Sequence, residues 1–232
     1  MAGRILQYGM LLLLVQLSIG CTQESASQNI ATAQPDKPVA ASAPAADGKL
    51  VVAFGDSLFA GYNLAQDQGF APALERSLTA RGVKAQVFNA GVSGDTSAAG
   101  LQRLGFVLDG LGRKPDLVIL GLGANDMLRG LSPEATRANL DAMLSELQKR
   151  GIETVLAGML ASPNMGPDYA KAFNPIYPDL AKKYGLKLDP FFLDGVVGHR
   201  ALQLPDGMHP NDRGVKIIVD RVSPIVVEAL SG

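Results

Sequence analysis

The sequence predicts a single three-layer α/β/α domain built on a parallel sheet of about five strands. Three observations lead to that fold class: five short apolar runs recur along residues 49–232, helical patterns separate them, and the composition is that of a globular protein. Of the 232 residues, 47% are hydrophobic and 19% are charged. Such a chain can bury a sizeable core, and the alternation of strand and helix favours right-handed crossovers between parallel strands.

The five predicted strands are apolar and occupy residues 50–54, 85–89, 117–120, 154–159 and 186–189. Continuous apolar runs of this length are typical of strands that are buried on both faces. In parallel sheets, functional side chains lie on the loops beyond the carboxyl ends of the strands. We therefore expect the chemistry of this protein on those loops.

Helices are predicted between the strands, at residues 69–81, 96–111, 133–150, 168–184 and 212–230. The clearest begins with Ser132 as N-cap, Pro133 at the first helical position and Glu134 in the first turn, where its charge suits the helix dipole. Gly151 is a typical stop signal for that helix. Pro224 can kink the last one.

Residues 1–21 are predicted to be a targeting segment. Arg4 precedes an apolar stretch at residues 5–19, which is too short for a membrane span. The only cysteine, Cys21, follows Leu17-Ser18-Ile19-Gly20, which resembles a bacterial lipobox, so Cys21 would become the lipidated first residue of the mature protein. The alternative is an ordinary secretory signal cut nearby. Both predict export, to the periplasm, to an outer-membrane anchor or out of the cell.

Residues 22–48 are rich in Ala, Ser, Gln, Pro and Asp and are predicted to be a flexible linker. Such a segment cannot bury enough apolar surface to offset the entropy lost on ordering. The folded domain is therefore predicted at residues 49–232.

Charge and rare residues exclude several classes of function. Removing residues 1–48, which hold two of the 21 basic and three of the 22 acidic side chains, leaves 19 of each. This neutral body gives no electrostatic footprint for nucleic acid. The two histidines are ten residues apart without paired cysteines, so a metal centre is not expected. Residues 121–126 lack the last glycine of a dinucleotide fingerprint, and no phosphate-loop motif occurs, so no cofactor is predicted.

Two loops carry the elements of a nucleophilic site. Ser57 follows the first predicted strand, and Asp206 and His209 stand three residues apart in a stretch rich in turn formers. A serine needs an adjacent base, and that base needs an acceptor that fixes its tautomer. The alternatives are a turn with a helix cap at Ser57 and an ordinary turn with an exposed His209. His199 has no acidic neighbour nearby and is predicted to be a surface residue.

Two middle loops offer hydrogen-bond donors. Residues 89–96 follow the second strand and residues 121–126 follow the third, and both are rich in glycine. Acyl transfer needs donors where the oxyanion develops, and a glycine N–H and an asparagine amide are suitable. Each loop alone can also be a plain connection. Together with the loops of Ser57 and of Asp206 and His209, they make four loops that each offer one catalytic role.

At this point the sequence resembles the SGNH or GDSL-type hydrolases, which are named for Ser, Gly, Asn and His in four blocks. The resemblance spans about residues 50–230 and rests on Gly55-Asp56-Ser57-Leu58, Ser93-Gly94-Asp95, Gly123-Ala124-Asn125-Asp126 and Asp206-Gly207-Met208-His209. Within the family, the chain is most similar to the bacterial periplasmic esterase/thioesterase/lysophospholipase branch, also called arylesterase. It departs from that branch at Ala124, where relatives often carry glycine, and at residues 161–166.

The resemblance implies a flavodoxin-like SGNH hydrolase fold and a cofactor-free serine esterase. Ser57 would attack the carbonyl, His209 would take its proton, and Asp206 would support the imidazolium. The oxyanion would be bound by the N–H groups of Ser57 and Gly94 and by the side-chain amide of Asn125. Asp56 and Asp126 are expected to have structural hydrogen-bonding roles.

The substrates are expected to be small acyl or aryl esters, and thioesters and lysophospholipids also fit the branch. We expect residues 127–132 and 162–169 to line the substrate groove because each follows a strand end, with Met127, Leu128, Pro163 and Asn164 in contact with substrate. Two alternatives stay open: a carbohydrate O-acetyl esterase on the same fold, and an anchored binding module without catalysis. The sequence leaves the oligomeric state open.

Overall fold

The computed structural model describes residues 48–232, which contain one sheet of five parallel strands in the order β2-β1-β3-β4-β5. The strands are β1 Lys49–Gly55, β2 Ala85–Gly91, β3 Leu117–Gly121, β4 Glu153–Ala157 and β5 Lys187–Asp189. All five residues of the central strand β3 are buried, as the continuous apolar pattern predicts. The predicted fold class is confirmed.

Helices cover the sheet. Their bounds are α1 Ser57–Ala60, α2 Phe70–Ala80, α3 Ser97–Asp109, α4 Ala124–Leu128, α5 Pro133–Lys149, α6 Pro167–Phe173, α7 Ile176–Tyr184 and α8 Asp212–Ser231. Helix α2 packs against α8, and α3 packs against α5. Within residues 48–232, no helix has both the length and the apolar character needed to cross a membrane.

Local signals set the helix ends where the sequence predicts them. Ser132 caps α5 by accepting a hydrogen bond from Ala135 N, and Pro133 is the first helical residue. Gly151, directly after this helix, has a φ of +60°, which glycine adopts without strain. Helix α8 continues through Pro224.

One predicted helix and one strand end are wrong. Residues 168–184 form two helices, α6 and α7, because Pro175 lacks the N–H that would continue the hydrogen bonds of α6. The side chain of Asn174 accepts a hydrogen bond from Ala161 N instead. The fourth strand ends at Ala157 rather than at 159, because Gly158 turns to hydrogen-bond Asp189 O.

Two short helices, α1 and α4, were not predicted. They have four and five residues, which is too short for helical periodicity to appear in a sequence. The predicted targeting segment 1–21, with Cys21, and residues 22–47 of the predicted linker lie outside the described residues.

The carboxyl ends of three neighbouring strands meet in a row of glycines. Gly55 at the end of β1 pairs with Gly91 of β2 on one side and with Gly121 of β3 on the other. The ring of Phe59 in α1 lies on this glycine row, and a Cβ at Gly55 or Gly121 would come within 2.3 Å of that ring. Only glycine therefore allows α1 to sit directly on the ends of the strands.

Asp56 joins β1 to α1 and is buried beside the glycine row. Its carboxylate caps α1 by accepting a hydrogen bond from Leu58 N at 3.0 Å. Burial raises the pKa of Asp56 to about 7, and repulsion from Asp95 and Asp126 adds to this effect, which the bond from Leu58 only partly offsets. The residue is therefore a buried acid that changes charge near neutral pH.

Because this pKa is higher in the folded than in the unfolded protein, where it is about 3.9, the folded state retains a proton that the unfolded state has lost. The stability contributed by that proton is present below about pH 4 and is lost as the pH rises through 7. Asp56→Asn keeps the cap acceptor and cannot ionise. We expect the free energy of unfolding of the wild type to fall relative to this variant by roughly 4 kcal/mol between pH 4 and pH 8.

Urea unfolding of both proteins at pH 4, 6 and 8 measures this difference. The other ionisable groups are common to both proteins, so the difference between the two curves reports Asp56. Parallel dependence of the two unfolding free energies on pH would show that Asp56 does not titrate in this way.

Candidate active site

Ser57 stands at the first position of α1, directly above the glycine row. Because it begins a helix, its backbone N–H has no acceptor one turn earlier in the helix and is available to a ligand. The contact of Phe59 with Gly55 and Gly121 fixes α1 on the sheet. The side chain of Ser57 lines a cavity of about 650 Å³ at the carboxyl ends of the strands.

The structure brings Ser57, His209 and Asp206 into one chain of hydrogen bonds. Ser57 Oγ lies 2.8 Å from His209 Nε2, and His209 Nδ1 lies 2.7 Å from Asp206 Oδ2. The serine and the histidine are 152 residues apart in sequence. In this geometry the imidazole can accept the hydroxyl proton while the carboxylate holds its Nδ1–H.

The loop that carries Asp206 and His209 is held by its own backbone. Asp206 Oδ1 accepts hydrogen bonds from Met208 N at 2.9 Å and His209 N at 3.0 Å. Partial burial raises the pKa of Asp206, but these two bonds and the imidazole outweigh that effect and place it below the ordinary value. Asp206 therefore stays ionised and faces the imidazole as a carboxylate.

Two further contacts fix the histidine. Leu204 N donates to His209 O at 2.8 Å, which closes the loop. The ring of Tyr62, just after α1, packs on the imidazole with a centroid separation of 4.4 Å. No sequence signal marked Tyr62. His199 precedes the 3-10 helix Arg200–Leu202, is exposed as predicted, and is not among the residues that line the cavity.

Gly94 lines the same cavity as Ser57 and lies in a tight turn after β2. Asp95 N donates to Val92 O, and Gly94 at the third position of the turn has a φ of +86°, which is typical of a type II turn and favours glycine. The turn is also held by Arg129, whose Nη2 donates to Gly94 O. Gly94 lines the cavity.

Asn125 lies in α4, at the end of β3, and also lines the cavity. Its side-chain Nδ2 donates to Asp95 O at 3.0 Å. The NH2 group of an asparagine side chain has two donor hydrogens. One fixes the side chain of Asn125 to the Gly94 loop, and the second is left for a ligand. The four sequence blocks thus meet at one end of the sheet.

Asp126 has the structural role that the sequence predicts. It is buried and accepts hydrogen bonds from Ser97 N at 2.7 Å, from Ser97 Oγ at 2.5 Å and from Thr136 Oγ1 at 3.2 Å. These bonds tie α4, next to Asn125, to the starts of α3 and α5. The carboxylate is used in the fold and does not line the cavity.

The cavity wall is mainly apolar. Three of the four predicted substrate contacts line it, namely Met127, Leu128 and Pro163, whereas Asn164 is exposed and lies outside it. The prediction for Asn164 is therefore not supported: in the 3-10 helix Pro163–Met165, only the first residue reaches the cavity. Further apolar lining residues were not predicted, namely Leu58, Met159, Leu160, Phe191, Leu193, Val197 and Met208.

The lining contains few ionisable groups. Its carboxyl groups are those of Asp56, below Ser57, and Asp206, bonded to His209. Within residues 48–232, no three His, Cys, Asp or Glu side chains lie together in a way that could hold a metal ion. The chemistry available from these residues is that of the hydroxyl, the imidazole and the surrounding hydrogen-bond donors.

Comparison with known proteins identifies the family of this chain. Residues 53–217 match the GDSL-like lipase/acylhydrolase family. The chain is 41% identical over 166 residues to the esterase TesA of Pseudomonas aeruginosa, an alignment that covers 72% of this chain and 81% of TesA. It is 36% identical over 178 residues to thioesterase 1/protease 1/lysophospholipase L1 of Escherichia coli K12, covering 77% and 82% of the two chains.

A solved structure shows the same fold. The crystal structure of AlinE4, an SGNH-hydrolase family esterase, superposes with a TM-score of 0.68 at 49% sequence identity, covering 80% of this chain and 98% of AlinE4. The predicted family resemblance is thereby confirmed. The chain belongs to the GDSL-like lipase/acylhydrolase family, the SGNH hydrolases, and is a carboxylic ester hydrolase.

Proposed function

We propose that the protein cleaves esters through an acyl-enzyme formed on Ser57. His209 accepts the proton of Ser57 as its oxygen attacks the carbonyl, and Asp206 holds the imidazole and stabilises its charged form. His209 then donates the proton to the leaving alcohol, and water releases the acyl group by the same route. The observation that carries this proposal is the hydrogen-bond chain of 2.8 and 2.7 Å through these three side chains.

The oxyanion of the tetrahedral intermediate is bound, in this proposal, by three donors: the N–H groups of Ser57 and Gly94 and the second amide N–H of Asn125. Donors that are fixed before the reaction stabilise developing charge without a reorganisation cost. The position of Ser57 at a helix start, the turn at Gly94 and the bond from Asn125 to Asp95 O support this assignment.

The substrate class follows from the wall of the cavity. Apolar side chains such as Met159, Leu160, Phe191 and Leu193 favour an uncharged acyl chain longer than acetyl, because each buried methylene contributes about 0.8 kcal/mol. Thioesters and lysophospholipids are included in the proposal because the similar Escherichia coli protein is named a thioesterase and lysophospholipase. A carbohydrate O-acetyl esterase would instead need polar partners for the sugar, which this wall offers sparsely.

We also propose that residues 1–21 direct export and that Cys21 is the lipidated residue of the mature protein. The apolar stretch 5–19 and the lipobox-like sequence before Cys21 support this assignment. Residues 22–48 would then form the tether between the lipid anchor and the enzyme domain. The enzyme could thus act at some distance from the membrane surface.

Ser57→Ala should abolish hydrolysis of p-nitrophenyl butyrate, with kcat reduced by more than about 10⁴-fold, because loss of the nucleophile disables the whole unit. Thermal unfolding should change little, since the hydroxyl is not part of the core. Ser162→Ala, which alters another serine of the cavity lining, is the matched control and should keep activity within about threefold. Substantial activity in Ser57→Ala would refute the nucleophile assignment.

A series of p-nitrophenyl esters from two to sixteen carbons tests the substrate class. We expect kcat/KM to rise at least tenfold from acetyl to hexanoyl, since a fully buried methylene is worth up to about fourfold. Acyl-CoA and lysophosphatidylcholine should be cleaved as well. A maximum at acetyl together with release of acetate from acetylated xylan would instead support the carbohydrate esterase.

Cys21→Ala tests the anchor in a bacterial host grown with radioactive palmitate. The wild type should incorporate label and fractionate with membranes, whereas the variant should remain unlabelled and leave the membrane fraction. An unlabelled wild-type protein released from the membrane after cleavage would show that the segment is an ordinary secretory signal.

A further inference from the structure

We propose that Arg103 is the positioning residue of the oxyanion hole: it holds the segments that carry the three donors at fixed distances from one another. The inference rests on the function proposed above. Arg103 lies in the second turn of α3 and is not among the residues that line the cavity, so it would act through its neighbours rather than on the substrate.

The guanidinium of Arg103 makes three contacts on three sides. Its Nε donates to Asp95 Oδ2 at 2.6 Å, and its Nη2 donates to Gly55 O at 2.9 Å. Its carbon Cζ lies 4.0 Å from the centre of the Phe54 ring. A planar cation that is stacked on a ring and bonded through two different nitrogens has little freedom to move.

The two acceptors belong to two different donor segments. Gly55 ends β1 two residues before Ser57, and its carbonyl also accepts a hydrogen bond from Val92 N, at the start of the Gly94 turn. Asp95 immediately follows Gly94. Arg103 therefore clamps the segment that presents the Ser57 N–H to the segment that presents the Gly94 N–H.

The third donor, the side chain of Asn125, is also hydrogen-bonded to Asp95. Asn125 Nδ2 donates to the backbone oxygen of Asp95, the residue whose side chain is paired with Arg103. A displacement of Asp95 would thus move Gly94 and release Asn125 together. The ion pair between Arg103 and Asp95 therefore contacts the segments of all three donors.

The ion pair between Arg103 and Asp95 is largely shielded from solvent. The side chains of Arg103 and Asp95 are 19% and 12% exposed, and such a pair is screened much less by salt than a surface pair. Lysine could not replace Arg103, because a single ammonium group cannot reproduce the flat fork that reaches Asp95 and Gly55 while stacking on Phe54.

Arg103→Met keeps most of the side-chain volume and removes the fork. We expect kcat to fall about 10- to 100-fold with KM within threefold, because displacements of about 1 Å in catalytic groups cost up to about 100-fold. Arg103→Lys should recover only part of the loss. Arg150→Met is the matched control: Arg150 is also paired with a carboxylate, that of Asp109 at the C-terminal end of α3, and with Glu146 of α5, but it lies away from the donor segments, and kcat should stay within twofold.

A double-variant cycle separates positioning from general stability. If Arg103 acts through the donors, Asn125→Ala should lower kcat by about 10²-fold, and adding Arg103→Met should lower it by a smaller factor than in the wild type, because one of the three donors that Arg103 positions is already lost. Guanidinium ion at non-denaturing concentration should partly restore kcat to Arg103→Ala. Active-site titration with an organophosphonate corrects all rates for the folded fraction.

Three outcomes would overturn the inference: full kcat in Arg103→Met, a kcat loss equal to the loss of titratable sites, or losses from Arg103→Met and Asn125→Ala that multiply independently. Failure of the proposed function looks different. In that case Ser57→Ala and Asn125→Ala would retain activity themselves, whatever Arg103→Met does.

Discussion

The site depends on one steric constraint, the close approach of α1 to the sheet over Gly55, Gly91 and Gly121. These residues end three adjacent strands in register. A Cβ at Gly91 would lie 2.2 Å from the backbone nitrogen of Ala60, and one at Gly55 or Gly121 would meet the ring of Phe59. Because the three glycines carry no side chains, α1 can pack directly on the ends of the strands and begin within two residues of the end of β1. This close packing of α1 sets the position of Ser57 relative to the loops after β2 and β3.

The close approach of the strand ends also brings three aspartate side chains near one another. Asp56, Asp95 and Asp126 follow the ends of three neighbouring strands, and the last two raise the pKa of Asp56 beyond the effect of its burial. Each of these buried or half-buried carboxyl groups has a polar partner that stabilises it. Asp56 caps α1, and Asp126 accepts hydrogen bonds from Ser97 and Thr136. Asp95 is paired with Arg103. Of the three, only Asp95 is paired with a cation. The carboxylate that follows Gly94 directly in the sequence is therefore the one neutralised by an ion pair.

The residues that meet in the cavity follow from the sequence more directly than the short helices around them do. Parallel strands bring their carboxyl ends to one edge of the sheet, so residues after β1, β2 and β3 could be expected to meet, and they do. Helices α1 and α4 were missed because a single turn has no periodicity, and the break at Pro175 was missed because the apolar pattern continues across it. Tyr62 packs on His209 through the folding of the α1–α2 connection, and no pattern in the sequence reports such a contact between distant segments.

The apolar wall of the cavity was the least predictable part, and its construction explains why. Phe191, Leu193 and Val197 follow β5 in a segment without regular periodicity, and their position depends on a distant residue of α8. Arg221 binds both carboxylate oxygens of the buried Asp189, at 3.0 and 2.9 Å, and donates to the carbonyls of Phe192 and Asp194. Such a bidentate pair fixes direction as well as distance. The edge strand thus anchors the wall just as the glycine row anchors Ser57. Because the two anchors share no residue, the shape of the apolar wall can change without a change in the geometry at Ser57.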